Sequence, residues 1–339
     1  MRILVGMSGG ADSSFAALRL LKEGHEVEGA VLVMHDYTDV LAARLACEEI
    51  GIRLHVVDCK SDFEDQVVEY FIDEYKKGRT PNPCAFCNGA VKFKILYEYA
   101  MNNGFDMIAT GHYARVNYEN GRYFVSRAED LKKDQSYMLW RLSQKILSKL
   151  IFPLCDVNKS GVREILSDHK ITSSKSPDSQ EICFIPDNDY VSFIEKRNGV
   201  QEKGCFLDSE GNVLGEHRGI IGYTVGQRKG LGVSLGKRMF VTRIDPEKNA
   251  VVLSDSPDYT DTVKVRNICF SGISPAESGM VISGEVKLRY LARPIPAMAT
   301  FVGEENAIIT LNTPEKSVTP GQSAVFYDGE KLLFGGFIG

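Results

Sequence analysis

Nowhere in its 339 residues does the chain hold an apolar run approaching the ~18 residues of a membrane span. Its opening, MRILVGMSGG, lacks the apolar stretch and small-residue cleavage site of a secretory signal, so the expectation is a cytoplasmic protein with no membrane partner. Low-complexity polar tracts are missing too. With 43% hydrophobic and 25% charged residues, the balance is that of a folded globular chain. A strong excess of either charge is also absent: 40 basic against 45 acidic residues leave a net charge of -5, which offers nothing for indiscriminate nucleic-acid binding. Neither GxxxxGK[ST] nor GxGxxG occurs at the start of the chain, which disfavours a Walker ATPase or an ordinary dinucleotide-dependent dehydrogenase. There is no internal repeat.

What is present begins with size. A chain this long exceeds the usual ~100–200 residues of one domain, so two or three domains are expected. Eight cysteines in a chain with ample core material argue against a disulfide scaffold and leave buried thiols, a metal site or catalysis. Charge is uneven along the sequence. Arg218, Arg228, Lys229, Lys237, Arg238 and Arg243 follow one another without an intervening acid, and so do Lys287, Arg289 and Arg293. An acidic protein with two basic islands can bind a polyanion on one face while repelling it elsewhere.

Hydrophobic periodicity alternates between strand and helix over residues 1–110, with strands expected at 2–6, 27–34, 53–58 and 107–109 and helices at 13–22, 40–49, 63–75 and 90–101. That order predicts an α/β N-terminal domain with a mostly parallel sheet, whose ligands bind beyond the carboxyl ends of the strands. Residues 112–200 mix two short β-like runs, 113–117 and 123–126, with helical segments near 143–149 and 161–169, and read as an extension of the first domain. After about Asn198, glycine becomes frequent and short strand-like runs alternate with turn signals, for example at 239–244, 251–253, 281–288, 307–311 and 323–327. The division expected is therefore 1–200, a small β-rich domain over 201–261, and a C-terminal β-barrel over 262–339.

The strongest local signal is the segment Gly6, Met7, Ser8, Gly9, Gly10, Ala11, Asp12, Ser13 and Ser14, lying after a buried strand and before a helix. The glycines let several N–H groups aim at one anion, Ser8 and Ser13 add hydroxyls, and the helix contributes its positive end. A phosphate fits such a turn, although Asp12 also has the chemistry of a helix cap. SGGADSS at 8–14 resembles the pyrophosphate-binding loop of the N-type ATP pyrophosphatases, which split ATP into AMP and pyrophosphate. That resemblance implies ATP and Mg²⁺, with Asp12 holding or orienting the metal.

A second signal is RTPNPCAFCN at 79–88, where two prolines stiffen a loop and Cys84 and Cys87 form a CxxC whose second thiol lies next to a helix start, with Lys92 and Lys94 nearby. By itself a CxxC is compatible with redox chemistry, half a metal site or no function. Cys183, alone in an apolar run, reads more readily as core.

The chain as a whole resembles the tRNA-specific 2-thiouridylase family, through TPNPCAFCN (80–88), KFK (92–94), ATGHYAR (109–115), KDQSY (133–137), SQEICFIP (179–186), GYTVGQRKGLG (222–232), LRY (288–290) and GQSAVFY (321–327). The resemblance implies ATP-dependent 2-thiolation of uridine 34 in tRNA, by adenylation of the C2 oxygen and transfer of persulfide sulfur. It assigns Cys87 as the nucleophile and Cys183 as the persulfide carrier, loaded by a cysteine-desulfurase-derived donor or relay protein. It extends the ATP site to Met34 and Gly111 and assigns Lys133, Asp134, Gln135 and Gln322 to tRNA. The basic run at Gln227, Arg228 and Lys229, with Arg289 and Tyr290, suits an RNA sugar-phosphate backbone, and His112 has the chemistry to contact ATP or tRNA or to serve as a hydrogen-bonded supporting histidine. Cys47, Cys59, Cys155, Cys205 and Cys269 match no catalytic position. Cys84 stands where better-known members carry Asp, and the chain is abbreviated after Met34 and between Leu235 and Phe240. The extra thiol leaves three roles open: a bystander, a participant in the relay, or one of three ligands with Cys87 and Cys183 for a [4Fe-4S] cluster, with Zn²⁺ the less apt metal. Two competing readings are another adenylating ligase, which needs neither the two cysteines nor the β tail, and a non-catalytic tRNA-binding module.

Overall fold

The computed structural model describes residues 1–175, 182–233 and 236–339. Ser179, Gln180 and Glu181 of the SQEICFIP motif, and Leu235, lie outside the described residues. The N-terminal strands β1 (Arg2–Gly6), β2 (Glu26–Val33), β3 (Leu54–Asp58) and β4 (Met107–Thr110) are all parallel. With the short β7 (Leu150–Ile151) they take the order β3-β2-β1-β4-β7. The centre of β1 is fully buried, with Ile3, Leu4 and Val5 at 0% exposure, as in a strand covered on both faces. Its order reverses between β1 and β4, so the turns after these two strands open onto one crevice.

Helix α1 (Ala11–Lys22) follows β1 through a turn in which Gly9 has φ 78°, and a Cβ there would stand 2.5 Å from the Cβ of Ala42 in α2 (Val40–Ile50). Only glycine satisfies both constraints. The helix expected at 63–75 is one continuous helical segment made of α3 (Lys60–Phe63), a π-helical turn (Glu64–Val68) and α4 (Glu69–Lys76). The helix expected at 90–101 starts earlier, as α5 (Pro83–Cys87), another π-helical turn (Asn88–Lys92) and α6 (Phe93–Asn102). Asn82 caps α5 by accepting a hydrogen bond from the Ala85 amide at 3.1 Å, and Pro83 occupies the first turn. Cys84 and Cys87 therefore sit inside the first helical turn, not in the loop ahead of a helix.

The hairpin of β5 (Arg115–Glu119) and β6 (Arg122–Ser126) does not extend the parallel sheet. It joins the C-terminal sheet, where Ser126 pairs with Lys331. Three further helices complete the first half: α7 (Gln144–Leu147), α8 (Lys159–Asp168) and α9 (Tyr190–Asn198). A four-stranded sheet follows, from β8 (Gly204–Leu207), β9 (Val213–His217), β10 (Phe240–Asp245) and β11 (Ala250–Ser254), in the order β10-β11-β8-β9. The last six strands are β12 (Tyr259–Phe270), β13 (Val281–Lys287), β14 (Ile295–Val302), β15 (Asn306–Lys316), β16 (Ser323–Asp328) and β17 (Lys331–Ile338). Their ladder runs β12-β15-β14-β13-β16-β17 and returns to β12, closing a six-stranded barrel and removing its free edges.

Barrel and first domain share one core. Tyr327, Leu332 and Phe337 pack with Tyr137, Trp140 and Phe93. The Trp140 Nε1–H donates to Ser323 Oγ at 3.0 Å, and the Tyr137 hydroxyl donates to the Ser323 carbonyl at 2.8 Å. Glu74, 3% exposed, accepts hydrogen bonds from Arg79 at 3.3 Å and from Arg266 of β12 at 3.0 Å, which ties α4, the loop before the CxxC and the barrel together.

Candidate active site

The turn after β1 is built for an anion. The N-cap of α1 is Gly10 and carries no side-chain cap, so its first-turn amides are not engaged by a capping oxygen. Ser13 Oγ accepts from the Ser8 amide at 3.2 Å and donates to the Gly10 carbonyl at 3.0 Å, which holds the loop in shape. Met7 is 3% exposed and packs under the turn against β2, while Ala11 is 4% exposed, so these two residues shape the loop from beneath. Asp12 is no cap. Its Oδ1 accepts from the Tyr113 hydroxyl at 3.0 Å, and Lys159 Nζ approaches both carboxylate oxygens, at 2.6 and 2.7 Å. Gly111, after β4, packs on the same loop so closely that a Cβ would lie 2.5 Å from the Asp12 carbonyl carbon. Asp12 fits a Mg²⁺ that arrives with nucleotide, because one carboxylate together with phosphate oxygens is the usual protein contribution for that ion.

His112, next along, is hydrogen-bonded through Nδ1 to Thr110 Oγ1 at 2.8 Å and packs near Phe93 and Phe152. Burial, with the Lys92 ammonium adding to it, pushes its pKa down to about 3, so the ring is neutral at physiological pH. Lys92 also faces the thiols. Burial raises the Cys84 thiol, lifts Cys87 to about 11 and Cys183 to about 12, and Lys92 opposes the rise in all three. The charges of Cys84 and Cys87 each bear on Cys183, so CxxC and the distant Cys183 form one cluster. They lie at different depths: Cys87 is 6% exposed, whereas Cys84 and Cys183 are exposed residues. Phe184 and Ile185, buried beside Phe63, Phe71 and Val91, fix the chain that carries Cys183. Lys94 is exposed. All eight cysteines are free; Cys47 and Cys59 are buried.

The proposed [4Fe-4S] cluster gains no support. Among the described residues no group of three or more His, Cys, Asp or Glu side chains is arranged to hold a metal ion.

Met34 is half-buried and lines a cavity of about 510 Å³ together with Lys60, Phe184 and Arg197. The residues assigned to tRNA divide into two groups. Arg228 is exposed and lines an open groove of about 540 Å³ with Lys237 and Arg238, and Lys229 is exposed beside it. Gln227 shapes that loop, accepting from the Thr224 amide at 3.0 Å and donating to the Lys229 carbonyl at 3.1 Å. Others are engaged inside the protein. Asp134 is 6% exposed and accepts from Ala128, and from the Ser136 amide and hydroxyl. Gln135 accepts from the Tyr113 amide at 2.9 Å, and Lys133 is half-buried next to them. Arg289 donates to the Ser317 carbonyl and to Thr319 Oγ1, both at 2.6 Å, and Tyr290 packs beside Tyr137. Gln322 donates to the Thr80 carbonyl at 2.9 Å, while the Thr80 amide donates to the Pro320 carbonyl at 2.8 Å and its hydroxyl to Thr224 at 3.0 Å. Thr80, two residues before the cap of the CxxC helix, is thus held by both the middle and the C-terminal parts of the chain.

Three family models cover this layout: a tRNA methyl transferase HUP domain over residues 1–187, a tRNA methyl transferase PRC-barrel domain over 191–255, and an aminomethyltransferase beta-barrel domain over 260–338. The chain is 42% identical to the tRNA-specific 2-thiouridylase MnmA of Acetivibrio thermocellus, with 99% of each chain covered. It is 41% identical to the protein of that name from Caldicellulosiruptor saccharolyticus and 39% identical to that of Clostridioides difficile, each match covering 99% of this chain and 98% of the relative. The chain belongs to the tRNA-specific 2-thiouridylase family. Two features of this family member escape a linear reading of its sequence. Lys159 on Asp12 joins residues 147 positions apart, and the three-way grip on Thr80 joins residues 144 to 242 positions apart. Lys159 has one weak local signal, a position directly after Asn158, which caps α8.

Proposed function

We propose that the protein is a tRNA-uridine 2-sulfurtransferase that uses ATP to thiolate the wobble uridine, position 34. The observation that carries the proposal is the alignment of two half-sites: the phosphate turn with Asp12 and Gly111, then His112, then Lys92, then the thiols of Cys87, Cys183 and Cys84. The uridine C2 oxygen attacks the α-phosphate of ATP held on Ser8, Gly9, Gly10 and Ser13, and pyrophosphate leaves. This converts a poor leaving group into AMP. The outer sulfur of a Cys183 persulfide then attacks C2, AMP departs, and the Cys87 thiolate attacks the inner sulfur. A Cys87–Cys183 disulfide forms, the electron pair of the broken S–S bond stays on the sulfur now bound to C2, and a two-electron reductant restores both thiols. Bound Mg²⁺ supplies charge neutralisation at the phosphates, with Asp12 orienting it. Residues 1–200 carry this chemistry, and 201–261 and 262–339 contribute the tRNA surface.

Arg228, Lys237 and Arg238 along one open groove support backbone contact with RNA. A uridine in a single-stranded anticodon loop leaves its stack more cheaply than one in a duplex. The persulfide on Cys183 comes from a cysteine-desulfurase-derived donor, and the cytoplasm, where thiols stay reduced, suits that chemistry. The test separates activation from sulfur delivery. Asp12→Ala lowers tRNA-dependent pyrophosphate release while tRNA affinity holds, whereas Cys183→Ser and Cys87→Ser each release pyrophosphate without thiolating. Thiolation at the normal rate in either cysteine variant would remove that residue from the mechanism.

A further inference from the structure

The phosphate turn has a cation that its own sequence does not announce. Lys159 Nζ bridges both oxygens of Asp12, and the Tyr113 hydroxyl donates to one of them at 3.0 Å. The pair is partly withdrawn from water, with 15% of the lysine and 33% of the aspartate side chain exposed. Its backbone anchor is firm. Val162 and Leu166 of α8 are fully buried in the same core as Phe15 and Ala16 of α1, and Arg19 of α1 donates to the Pro153 carbonyl at 2.7 Å. The four-carbon lysine stem nevertheless lets the ammonium swing by several ångströms around that anchor.

Asp12 is the second residue of α1, so a triphosphate seated on the helix's first-turn amides lies within one side-chain length of Lys159 Nζ. Mg²⁺ demands oxygen ligands at ~2.0–2.1 Å in near-octahedral geometry. With an ammonium on both oxygens and the Tyr113 hydroxyl on Oδ1, the carboxylate keeps only Oδ2 with room for a metal, and a cation stands beside it. Entry of Mg²⁺ is therefore favoured when the lysine yields Asp12, and the incoming phosphates are the anion to which it moves.

We propose that Lys159 is an exchangeable counter-cation of the nucleotide site, holding Asp12 until MgATP enters and then pairing with the phosphates while Asp12 turns to the metal. This rests on the ATP reading above. At each stage every charge keeps a partner, which avoids an unpaired charge in a half-buried site.

The test is calorimetric binding of a non-hydrolysable ATP analogue to the full chain, with and without Mg²⁺, in wild type, Lys159→Met and Lys159→Arg, each with its melting temperature. Without Mg²⁺, Lys159→Met is expected to bind the analogue about 10-fold more weakly, having lost one charge-assisted contact. Its half-saturating Mg²⁺ falls several-fold, because Asp12 is no longer held. In Lys159→Arg the guanidinium grips the carboxylate with two parallel bonds, so half-saturating Mg²⁺ rises. A folded Lys159→Met with wild-type affinity and wild-type Mg²⁺ dependence reduces Lys159 to a structural pin and overturns the exchange. If Lys159→Met does not fold, an unchanged Mg²⁺ dependence in Lys159→Arg overturns it instead. Absence of analogue binding in wild type removes the ATP reading, and the exchange with it.

Discussion

At the level of single residues, thiol chemistry here is set by burial more than by charge. Although Cys183 is an exposed residue, the protein packed around its thiol pushes it up to about 12, the neighbouring thiols of Cys84 and Cys87 add to this, and the Lys92 ammonium only partly offsets it. On this account the thiols are expected to rest protonated at pH 7 until a donor or substrate changes their surroundings. Alkylation of Cys183 by iodoacetamide is expected to accelerate about 10-fold per pH unit from pH 7 to 9 without a plateau, following the thiolate fraction. A plateau near pH 7, read by mass spectrometry of the labelled peptide, would mean that the thiol is already ionised. In the sequence, motif and resemblance single out Asp12, Cys87 and Cys183. The sequence hid Lys159, since no local spacing relates a lysine at a helix start to a carboxylate 147 residues earlier. Asp134 and Gln322 show the opposite limit: polar residues assigned to RNA have their side chains hydrogen-bonded inside the protein.

Among elements, the most legible were those with local periodicity. β1 is a short apolar run ahead of a glycine turn, and its expected and observed limits coincide at residues 2–6. The helix begins earlier than its apolar periodicity implies, at α5, because Pro81 and Pro83 read as a stiff loop although Asn82 and Pro83 also carry a cap signal. β12 and β14 escaped because their exposed positions interrupt the apolar pattern, and their partners, like those of the almost wholly buried β17, are fixed only by barrel closure. The β5–β6 hairpin was readable as strands but not as part of the C-terminal sheet, since one ladder pair and a shared core decide its place. Close approach between turns gives a prediction at this scale. Gly111→Ala puts a methyl group 2.5 Å from the Asp12 backbone, with no flexible side chain to yield. We expect about 1–3 kcal/mol of destabilisation and a loss of ATP-analogue affinity larger than that of Gly222→Ala, whose added Cβ meets nothing nearer than 3.9 Å. Denaturant melts and calorimetry check both, and equal effects at the two glycines would contradict the packing argument.

Across the whole molecule, the barrel is a structural partner of the cysteines, not an appendage. Pro320 and Gln322 hold Thr80, Ser323 receives Trp140 and Tyr137, and Glu74 joins Arg79 to Arg266. Glu74→Ala leaves two arginines without their buried carboxylate and is expected to cost about 3 kcal/mol, with the CxxC loop loosening before the parallel sheet melts. Hydrogen exchange over residues 79–88 checks this, and unchanged protection there would separate the barrel from the active loop. The central claim is that an adenylating half-site and a sulfur-delivering half-site act in sequence on one uridine. It is tested most directly by incubating Cys183→Ser with ATP, Mg²⁺ and unmodified substrate tRNA, then digesting the RNA for mass analysis of the anticodon nucleotides. The account predicts an adenylated uridine at position 34 in Cys183→Ser and a 2-thiouridine there when the wild type is given a persulfide donor. Full thiolation by Cys183→Ser, or pyrophosphate released by the wild type without any change to that uridine, would contradict it.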